Sequence, residues 1–402
     1  MSITPITGVN VSTINDLFSA MSSQQSQMTV MAKTDLSQGT DLYAAGNYGA
    51  AVTDIKGAIG LDPSAADAPQ AYSVLAQTYT AQGDLSDAIK AYKTSLTISP
   101  GNDSTYISLG NIYYSQDDYS DAEKAYKAAV SISPTSSADL YSLGEAYLAT
   151  GDTQNAQKTF QQVINMEPTQ YGGYYALGQT YSKEGDQQNA IKCFEQVNSL
   201  DSTFYNVYVD LGSAYADLGQ TNMAQNCLNI LNTSSPKLAP VLSAYMAKVS
   251  KPKITADYST TGFLSTLGPG TQVEELSPTL SSPNASTVMN MVFVFDKSMD
   301  ANSVQNVANW TIGKSTQTTP GGAYDWGLSN PPTDTPVSPV PLNVVYLPDT
   351  DSAMVSFLIT QNAGDNGTID PSHINFQFNG TDTYGNAMDP KANEYNGVSQ
   401  IV

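Results

Sequence analysis

A ladder of identical residues with a period of 34 constrains the fold of this chain more than any other feature. Gly110, Gly144, Gly178 and Gly212 stand 34 residues apart, and a tyrosine and an alanine follow each glycine at fixed offsets. A unit of this length cannot bury its own apolar face, so neighbouring units must stack and share one elongated core. The ladder therefore predicts a solenoid in the N-terminal half of the chain.

Each unit also carries the same longer succession of residues. In one unit it reads Leu143, Gly144, Tyr147, Gly151, Ala156, Phe160 and Pro168, and the register extends back to Gly39 and forward to Pro236. This pattern resembles the tetratricopeptide repeat, a helix–turn–helix of 34 residues, and the resemblance implies about six repeats. The pair Gly151-Asp152 is typical of a turn in which glycine ends the first helix and aspartate caps the second. The alternative, a generic helical bundle, would need no fixed period.

Composition changes after Pro236. The spacing of apolar residues predicts a helix over Leu238 to Val249, which would cover the open end of the last repeat. Short runs rich in β-branched and aromatic residues then alternate with Pro, Gly, Asn and Asp turns, and this alternation predicts strands. About seven strands are predicted, at Ile254 to Ser259, Val288 to Phe295, Trp310 to Gly313, Leu342 to Leu347, Ala353 to Thr360, Ile374 to Phe378 and Val398 to Val402.

Two stretches of this region resemble bacterial immunoglobulin-like domains of surface and secreted proteins. The run 292–300, with the helix-like run 301–308 after it, is similar to the opening of such domains, and 380–389 is similar to their closing hairpin. We therefore predict a multidomain α + β chain. Its parts are an N-terminal arm (1–34), an all-α tetratricopeptide solenoid with a C-terminal capping helix (35–250) and an all-β immunoglobulin-like sandwich (251–402). The 28-residue loop Lys314 to Pro341 exceeds ordinary connections, so we expect it to be disordered or a contact element.

The charge of the chain limits its partners. Sixteen lysines, no arginine and 37 acidic residues give a net charge of -21, so a phosphate backbone would be repelled and nucleic acid is not expected as a direct partner. Charged residues are only 13% of the chain, and neutral polar residues and tyrosine take their place. This composition is typical of exported bacterial surface proteins. It favours an extracellular or cell-surface location, with the cytoplasm as the alternative.

The N-terminus does not have the features of an ordinary export signal. The first lysine is Lys33, and no apolar run has the length of a secretory h-region or a membrane span. We therefore predict neither a classical signal peptide nor a transmembrane segment. The polar stretch Met1 to Thr34 resembles substrates of flagellar-type export; a short strand and a leading helix that cap the solenoid are the alternative.

Residues for catalysis or metal binding are scarce. His373 is the only histidine, so histidine-based metal clusters and His–His acid/base pairs are excluded, and no nucleophile elbow or glycine-rich phosphate loop is present. We predict no enzymatic activity and no cofactor, and a structural or solvent-exposed role for His373. Carboxylates in predicted loops suit calcium, although solvated loop carboxylates are the simpler interpretation. The calcium candidates are Asp349, Asp351, Asp365 and Asp382.

In tetratricopeptide repeat proteins, outward residues of the first helices line a groove that binds partners. Chaperone-binding relatives use basic residues there to clamp a terminal carboxylate, but this chain has none at those positions, so the clamp is not expected. The register predicts instead a polar, aromatic groove for an extended segment, or a groove without a dedicated ligand. The predicted groove residues are Gln77, Asn111, Tyr114, Tyr141, Glu145, Tyr175, Gln179 and Ser213.

Two functions are compatible with these features. The first is a non-enzymatic extracellular subunit of a homopolymeric filament or surface layer, or an adhesin. It would bind copies of itself, a glycan or a surface polymer through the groove, the N-terminal arm and the immunoglobulin-like domain. The second is a soluble scaffold that recruits an extended peptide through the groove while the β-sandwich binds another protein or a glycan. The missing arginines, the low charge content and the surface-type β-region favour the first.

Overall fold

A computed structural model describes residues 11–317 and 322–396. Over these residues, helices occupy the first part of the chain and antiparallel strands the last part. The chain divides into two compact units between Ala214 and Tyr215.

Thirteen helices precede the first strand in the described part of the chain. From α3 to α10 they pack as consecutive pairs, and the second helix of each pair also packs on the first helix of the next. This is the arrangement that a stacked helix–turn–helix repeat requires. The helices are α1 (Val11–Ala44), α2 (Tyr48–Leu61), α3 (Ala68–Gln82), α4 (Leu85–Ile98), α5 (Asp103–Ser115), α6 (Tyr119–Ile132), α7 (Ser137–Thr150), α8 (Thr153–Met166), α9 (Tyr171–Glu184), α10 (Gln187–Leu200), α11 (Asn206–Asp217), α12 (Thr221–Ser234) and α13 (Ala239–Val249).

The glycine ladder marks the closest approach of the two helices in a repeat. A Cβ atom added to Gly144 would lie 2.5 Å from Cε1 of Phe160, a side chain with no exposed surface, and Gly110 and Gly178 face aromatic rings in the same way. Gly151 ends α7 with φ 83°, and the Asp152 side chain then accepts a hydrogen bond from the backbone N–H of Asn155. The sequence prediction of close packing and of a Gly-Asp turn is confirmed at these positions.

A second repeated contact explains the ladder tyrosines. The ammonium group of Lys93 lies 5.6 Å from the ring centroid of Tyr113, and Lys127 lies 5.1 Å from that of Tyr147. Each pair joins the second helix of one repeat to the first helix of the next, within the range of a cation–π interaction. At these two junctions the lysine–tyrosine contact adds to apolar packing, whereas Gln161 takes the place of the lysine before Tyr181.

Helix α1 is more than twice as long as a repeat helix. It runs without interruption through position 34, where the sequence predicted the end of a separate arm, because Thr29 and the residues after it already pack on α2. The Thr29 hydroxyl donates to Oδ2 of Asp62, directly after the end of α2, at 2.6 Å. The leading helix of the sequence prediction is therefore part of the first repeat. Residues 11–34 are helical, so a short strand could only fall at positions 1–10, which lie outside the described residues.

The β-region contains antiparallel sheets. One sheet has the order β1-β3-β6-β5, a second has β4-β8-β9, and β2 pairs with β7. Two short helices, α14 (Val273–Leu276) and α15 (Ala301–Gln305), lie between strands. The strands are β1 (Ile254–Ser259), β2 (Thr271–Gln272), β3 (Ser286–Phe295), β4 (Trp310–Lys314), β5 (Asn343–Leu347), β6 (Ser352–Thr360), β7 (Thr368–Ile369), β8 (Ile374–Phe378) and β9 (Glu394–Asn396).

The two larger sheets contribute side chains to one hydrophobic core. Phe293 of β3 lies 5.2 Å from Phe376 of β8, and Trp310 of β4 lies 4.5 Å from Phe378, measured between ring centroids. Six of the seven predicted strands are present with small shifts at their ends, and the seventh, Val398 to Val402, lies outside the described residues. The strands β2 and β7, which pair with each other, were not predicted because two-residue strands have too few positions to show alternation.

The last two helices belong to the same unit as the strands. Lys297, which follows β3, donates from Nζ to the carbonyl oxygens of Ala247 and Ser250 at the end of α13, at 2.5 and 2.8 Å. Asn386 donates from Nδ2 to the Lys248 carbonyl at 2.6 Å. The sequence predicted a boundary at 250/251 from composition, whereas these hydrogen bonds place α13 with the β-region.

Candidate binding surface on the first helices

The predicted groove residues all lie on first helices of repeats. Helix α5 contacts α7, and α7 contacts α9, so these helices form one continuous surface. Gln77 and Asn111 are exposed, and the other six are half-buried. Their positions are Gln77 on α3, Asn111 and Tyr114 on α5, Tyr141 and Glu145 on α7, Tyr175 and Gln179 on α9, and Ser213 on α11.

The three tyrosines of this set pack against the second helices. The Tyr141 ring lies 5.7 Å from Phe160, and the Tyr175 ring lies 5.9 Å from Phe194, between centroids. Tyr114 makes an edge contact with Tyr119 at 5.1 Å. The register predicted that these side chains point outward. In the structure the three rings are half-buried, and those of Tyr141 and Tyr175 pack on phenylalanines of the repeat core.

Glu145 is the centre of this surface. Its Oε1 atom is buried and finds no hydrogen-bond partner among the residues that the structure describes. Burial raises the pKa of this carboxyl group above its ordinary value of 4.5. Burial also raises the pKa of Tyr141 to about 12, and the Glu145 and Tyr114 side chains add to that effect. The structure thus brings Tyr114, Tyr141 and Glu145 close enough for their charges to interact.

A second carboxylate, which the sequence reasoning missed, lies further along the surface. Tyr175 donates from its hydroxyl to Oδ2 of Asp210 on α11 at 2.6 Å. Burial raises the pKa of Asp210, and the hydrogen bond from Tyr175 opposes this. The ring of Phe204 stacks on Tyr171 at 4.7 Å and meets the edge of Tyr175 at 4.9 Å. Asp210 could have been identified from the sequence as an acidic residue inside a first helix, with no lysine near it in the sequence.

The upstream end of the surface is polar and neutral. The Tyr126 hydroxyl donates to Oδ1 of Asn111 at 2.7 Å, and burial raises the pKa of Tyr126 to about 12. Gln77 occupies the position equivalent to Asn111 in the preceding repeat, and Gln179 and Ser213 occupy it in later ones. The surface therefore combines aromatic rings, amides and two half-buried carboxylates, a set that suits hydrogen-bond donors and cations.

The four calcium candidates do not form a site. Asp382 is buried and pairs with Lys297 at 2.7 Å, and its oxygens also accept hydrogen bonds from Tyr384 and Asn386. Within the described ranges, no three His, Cys, Asp or Glu side chains are arranged to hold a metal ion. Of the four candidates, Asp382 is thus already paired with a lysine.

His373 lies in a buried polar cluster of the β-region. Its Nδ1 atom is 2.7 Å from Oδ2 of Asp370 and 2.9 Å from Oγ of Ser372, and Ser372 donates to Oδ1 of Asp370 at 2.6 Å. In a Ser–His–Asp triad the serine and the aspartate contact opposite ring nitrogens. Here Asp370 and Ser372 both contact Nδ1, so the three residues do not have the arrangement of a catalytic triad. Their hydrogen bonds to one another fit a structural role for His373.

The long loop after β4 is attached to that cluster. Tyr324 donates to Oδ1 of Asp334 at 2.7 Å and accepts from the Asp370 N–H at 3.0 Å, and Lys314 pairs with Asp334. Residues 318–321 lie outside the described part. In the described remainder of the loop, Trp326 is exposed, with 67% of its surface accessible.

The helices that the structure describes include no segment with both the length and the apolarity needed to cross a membrane.

Comparisons with known proteins agree with the repeat assignment. Residues 67–135, 113–179, 171–204 and 205–231 match family profiles described as tetratricopeptide repeat. A search of curated proteins found no match.

Several solved structures are similar to part of the chain. A crystal structure of MamA is 28% identical, with 41% of this chain and 97% of that chain covered and a TM-score of 0.39. A tetratricopeptide repeat protein from Parabacteroides merdae is 16% identical, with coverages of 55% and 90% and a TM-score of 0.47. PilF from Pseudomonas aeruginosa is 17% identical, with coverages of 54% and 99% and a TM-score of 0.43. The family profiles confirm the prediction of tetratricopeptide repeats over residues 67–231.

Proposed function

We propose that the first-helix surface binds an extended protein segment and that Glu145 accepts a hydrogen bond from a lysine, an arginine or an amino terminus of that segment. The observation that carries this proposal is the buried, unpartnered Oε1 atom of Glu145. A buried acceptor without a donor costs about 1–3 kcal/mol. That cost is removed when the half-buried Glu145 side chain turns its carboxylate towards a donor of the ligand.

The surroundings of Glu145 favour a cationic group over a neutral one. Tyr114 and Tyr141 lie close enough to Glu145 for its charge to act on both hydroxyl groups, and a cation near an aromatic ring face is attracted by it. The net charge of -21 adds a long-range attraction for basic segments. This preference is the reverse of the carboxylate clamp of chaperone-binding relatives, which the absence of basic residues had already argued against.

For the whole chain we infer a non-enzymatic, structural role at the bacterial cell surface. The subunit would belong to a filament, a surface layer or an adhesin, and the β-region would be an immunoglobulin-like domain open to protein or glycan partners. The support is compositional: no arginine, few charged residues and a net charge of -21. Protease treatment of intact cells should then degrade the native chain, and a chain fully protected until lysis would contradict the surface location.

The variant Glu145→Gln is expected to bind less selectively and to fold more stably than the native chain. Glutamine keeps the size of the side chain but removes the buried charge, so we expect the unfolding free energy at neutral pH to rise by about 1 kcal/mol. The raised pKa of Glu145 means that the native chain regains this difference when Glu145 becomes protonated. The difference in unfolding free energy between the native chain and Glu145→Gln should therefore shrink as the pH falls from neutrality towards 4.5, the ordinary pKa of glutamate. Urea unfolding followed by circular dichroism measures it.

Binding is tested by selection from a displayed library of random peptides against the native chain and against Glu145→Gln in parallel. The native chain should enrich peptides with a lysine or an arginine at a fixed position, and the variant should lose that preference. Asp41→Asn, which removes an exposed acid on α1, is the matched control and should select like the native chain. Equal enrichment of basic peptides by the native chain and Glu145→Gln would contradict the proposal.

A further inference from the structure

Among the residues that the structure describes, the first half of helix α1 from Asn15 onward is exposed along its length. Every residue from Asn15 to Gln27 is exposed, including the large apolar side chains Leu17, Phe18 and Met21, which show 61%, 65% and 57% of their surface. We call residues 15–28 the free half of α1. An exposed apolar stripe of this kind on a polar helix is typical of an interaction surface.

The stripe continues the face by which α1 packs in the first repeat. Phe18, Met21, Gln25, Met28 and Ala32 follow one another in alternating steps of three and four, the spacing of a coiled-coil seam, in which Gln25 is the one polar position. Ala32 is buried against the repeat, and Leu36 packs on the same core. The free half thus presents the face that is already an interface further along the helix.

The charge pattern identifies the occupant. Asp16 is the only charged residue before Lys33, in a chain whose net charge is -21. This helix is therefore a place where two copies can approach without strong repulsion. The absence of lysine and arginine up to position 32 argues against an anionic membrane surface, which attracts helices with a basic polar face. A helical segment with a single charge and heptad spacing is best matched by another segment of the same kind.

We propose that the free half of α1 pairs with the same segment of a second copy in an antiparallel two-helix contact. Phe18 of each copy then faces Met21 of the other copy. This pairing aligns residues 11–28 of one copy with residues 28–11 of the other. Antiparallel pairing places the two acidic bodies at opposite ends of a helix about 27 Å long. That separation is beyond a Debye length of about 8 Å, whereas parallel pairing would set the bodies side by side.

The pairing is tested by sedimentation of the full chain over a range of concentrations. The native chain should form dimers, and Phe18→Glu/Met21→Glu should be monomeric because it buries charge in the seam. Ser19→Glu/Ser23→Glu adds the same charge to the opposite face and should still dimerise. Both variants alter only exposed positions, so their thermal unfolding should match that of the native chain. A native chain that is monomeric throughout, or a Phe18→Glu/Met21→Glu chain that still dimerises, would overturn the proposal.

Orientation is tested with a spin label on a cysteine at Ser26 in each copy, in a chain in which Cys193 and Cys227 are replaced by alanine. Antiparallel pairing should separate the two labels by about 20 Å along the axis, from the 1.5 Å rise per residue. Labels in direct contact would show parallel pairing and refute this geometry. The contact does not use the first-helix surface, so Glu145→Gln should dimerise like the native chain, and failure of one proposal is distinguishable from failure of the other.

Discussion

Replacement of Lys297 by methionine is expected to destabilise the β-containing unit by about 3–5 kcal/mol, the cost of leaving one charge of a buried ion pair without its partner. The Lys297 side chain is 12% exposed and that of Asp382 is fully buried, with 2.7 Å between Nζ and Oδ2. The same ammonium group also donates to two carbonyls at the end of α13. The variant therefore loses the ion pair and the link between helix and strands together.

Tryptophan fluorescence measures this effect selectively. The chain has two tryptophans, Trp310 and Trp326, and both belong to the β-containing unit. Their unfolding transition should move to lower temperature in Lys297→Met and stay unchanged in Lys391→Met, which removes an exposed lysine. Equal transitions for all three chains would show that the buried pair contributes nothing to stability.

Acid should weaken the same connection. Burial alone would raise the pKa of Asp382, but hydrogen bonds from Lys297 and Asn386 together lower it below its ordinary value of 3.8. A lowered pKa contributes stability that is present above the ordinary value and lost as the pH falls through the folded-state pKa. The difference in unfolding free energy between the native chain and Asp382→Asn should therefore shrink at pH values below 3.8.

Replacement of Gly144 by alanine is expected to cost about 1–3 kcal/mol, even though alanine is the better helix former. The added methyl would lie 2.5 and 2.8 Å from two carbon atoms of the Phe160 ring, which is fully buried and cannot move aside without disturbing the repeat core. Circular dichroism at a wavelength that reports helix should show that Gly144→Ala unfolds at a lower temperature than the native chain.

The control for this prediction has the opposite sign. Gly60 lies in α2 with open space around the position of a Cβ, so Gly60→Ala should stabilise the chain by about 0.5–1 kcal/mol through helix propensity alone. Adding Phe160→Leu to Gly144→Ala should restore part of the loss, because leucine vacates the space of the ring edge. A Gly144→Ala chain as stable as Gly60→Ala would show that the close approach is not restrictive.

Local patterns in the sequence predict most of the fold. The 34-residue register locates the helix contacts at Gly144 and Phe160, since steric fit at one position repeats in every unit. The strands Ile254–Ser259 and Ile374–Phe378 have the predicted ends, because proline or turn residues flank them. In both cases the cause lies within a few residues or within one period.

Features that depend on distant residues could not be predicted in this way. Asp382 looked like a free loop carboxylate because its partner, Lys297, is remote in the chain. The register placed Tyr141 on a first helix but could not show that its ring is half-buried and packs on Phe160. The candidate surface was thus predicted by helix and position, while its burial, its unpaired Glu145 oxygen and Asp210 follow only from tertiary packing.

The division of the chain between Ala214 and Tyr215 has a consequence for how such a protein can change in evolution. Each repeat before that point contacts mainly its neighbours, and the contacts recur at equivalent positions. Whole 34-residue units can therefore be duplicated or lost there while the junctions stay chemically the same. The same does not hold for α12 and α13, because Lys297 and Asn386 hydrogen-bond the end of α13 to the β-region. We therefore expect the number of repeats to vary only before Ala214, while α12 and α13 stay with the β-region.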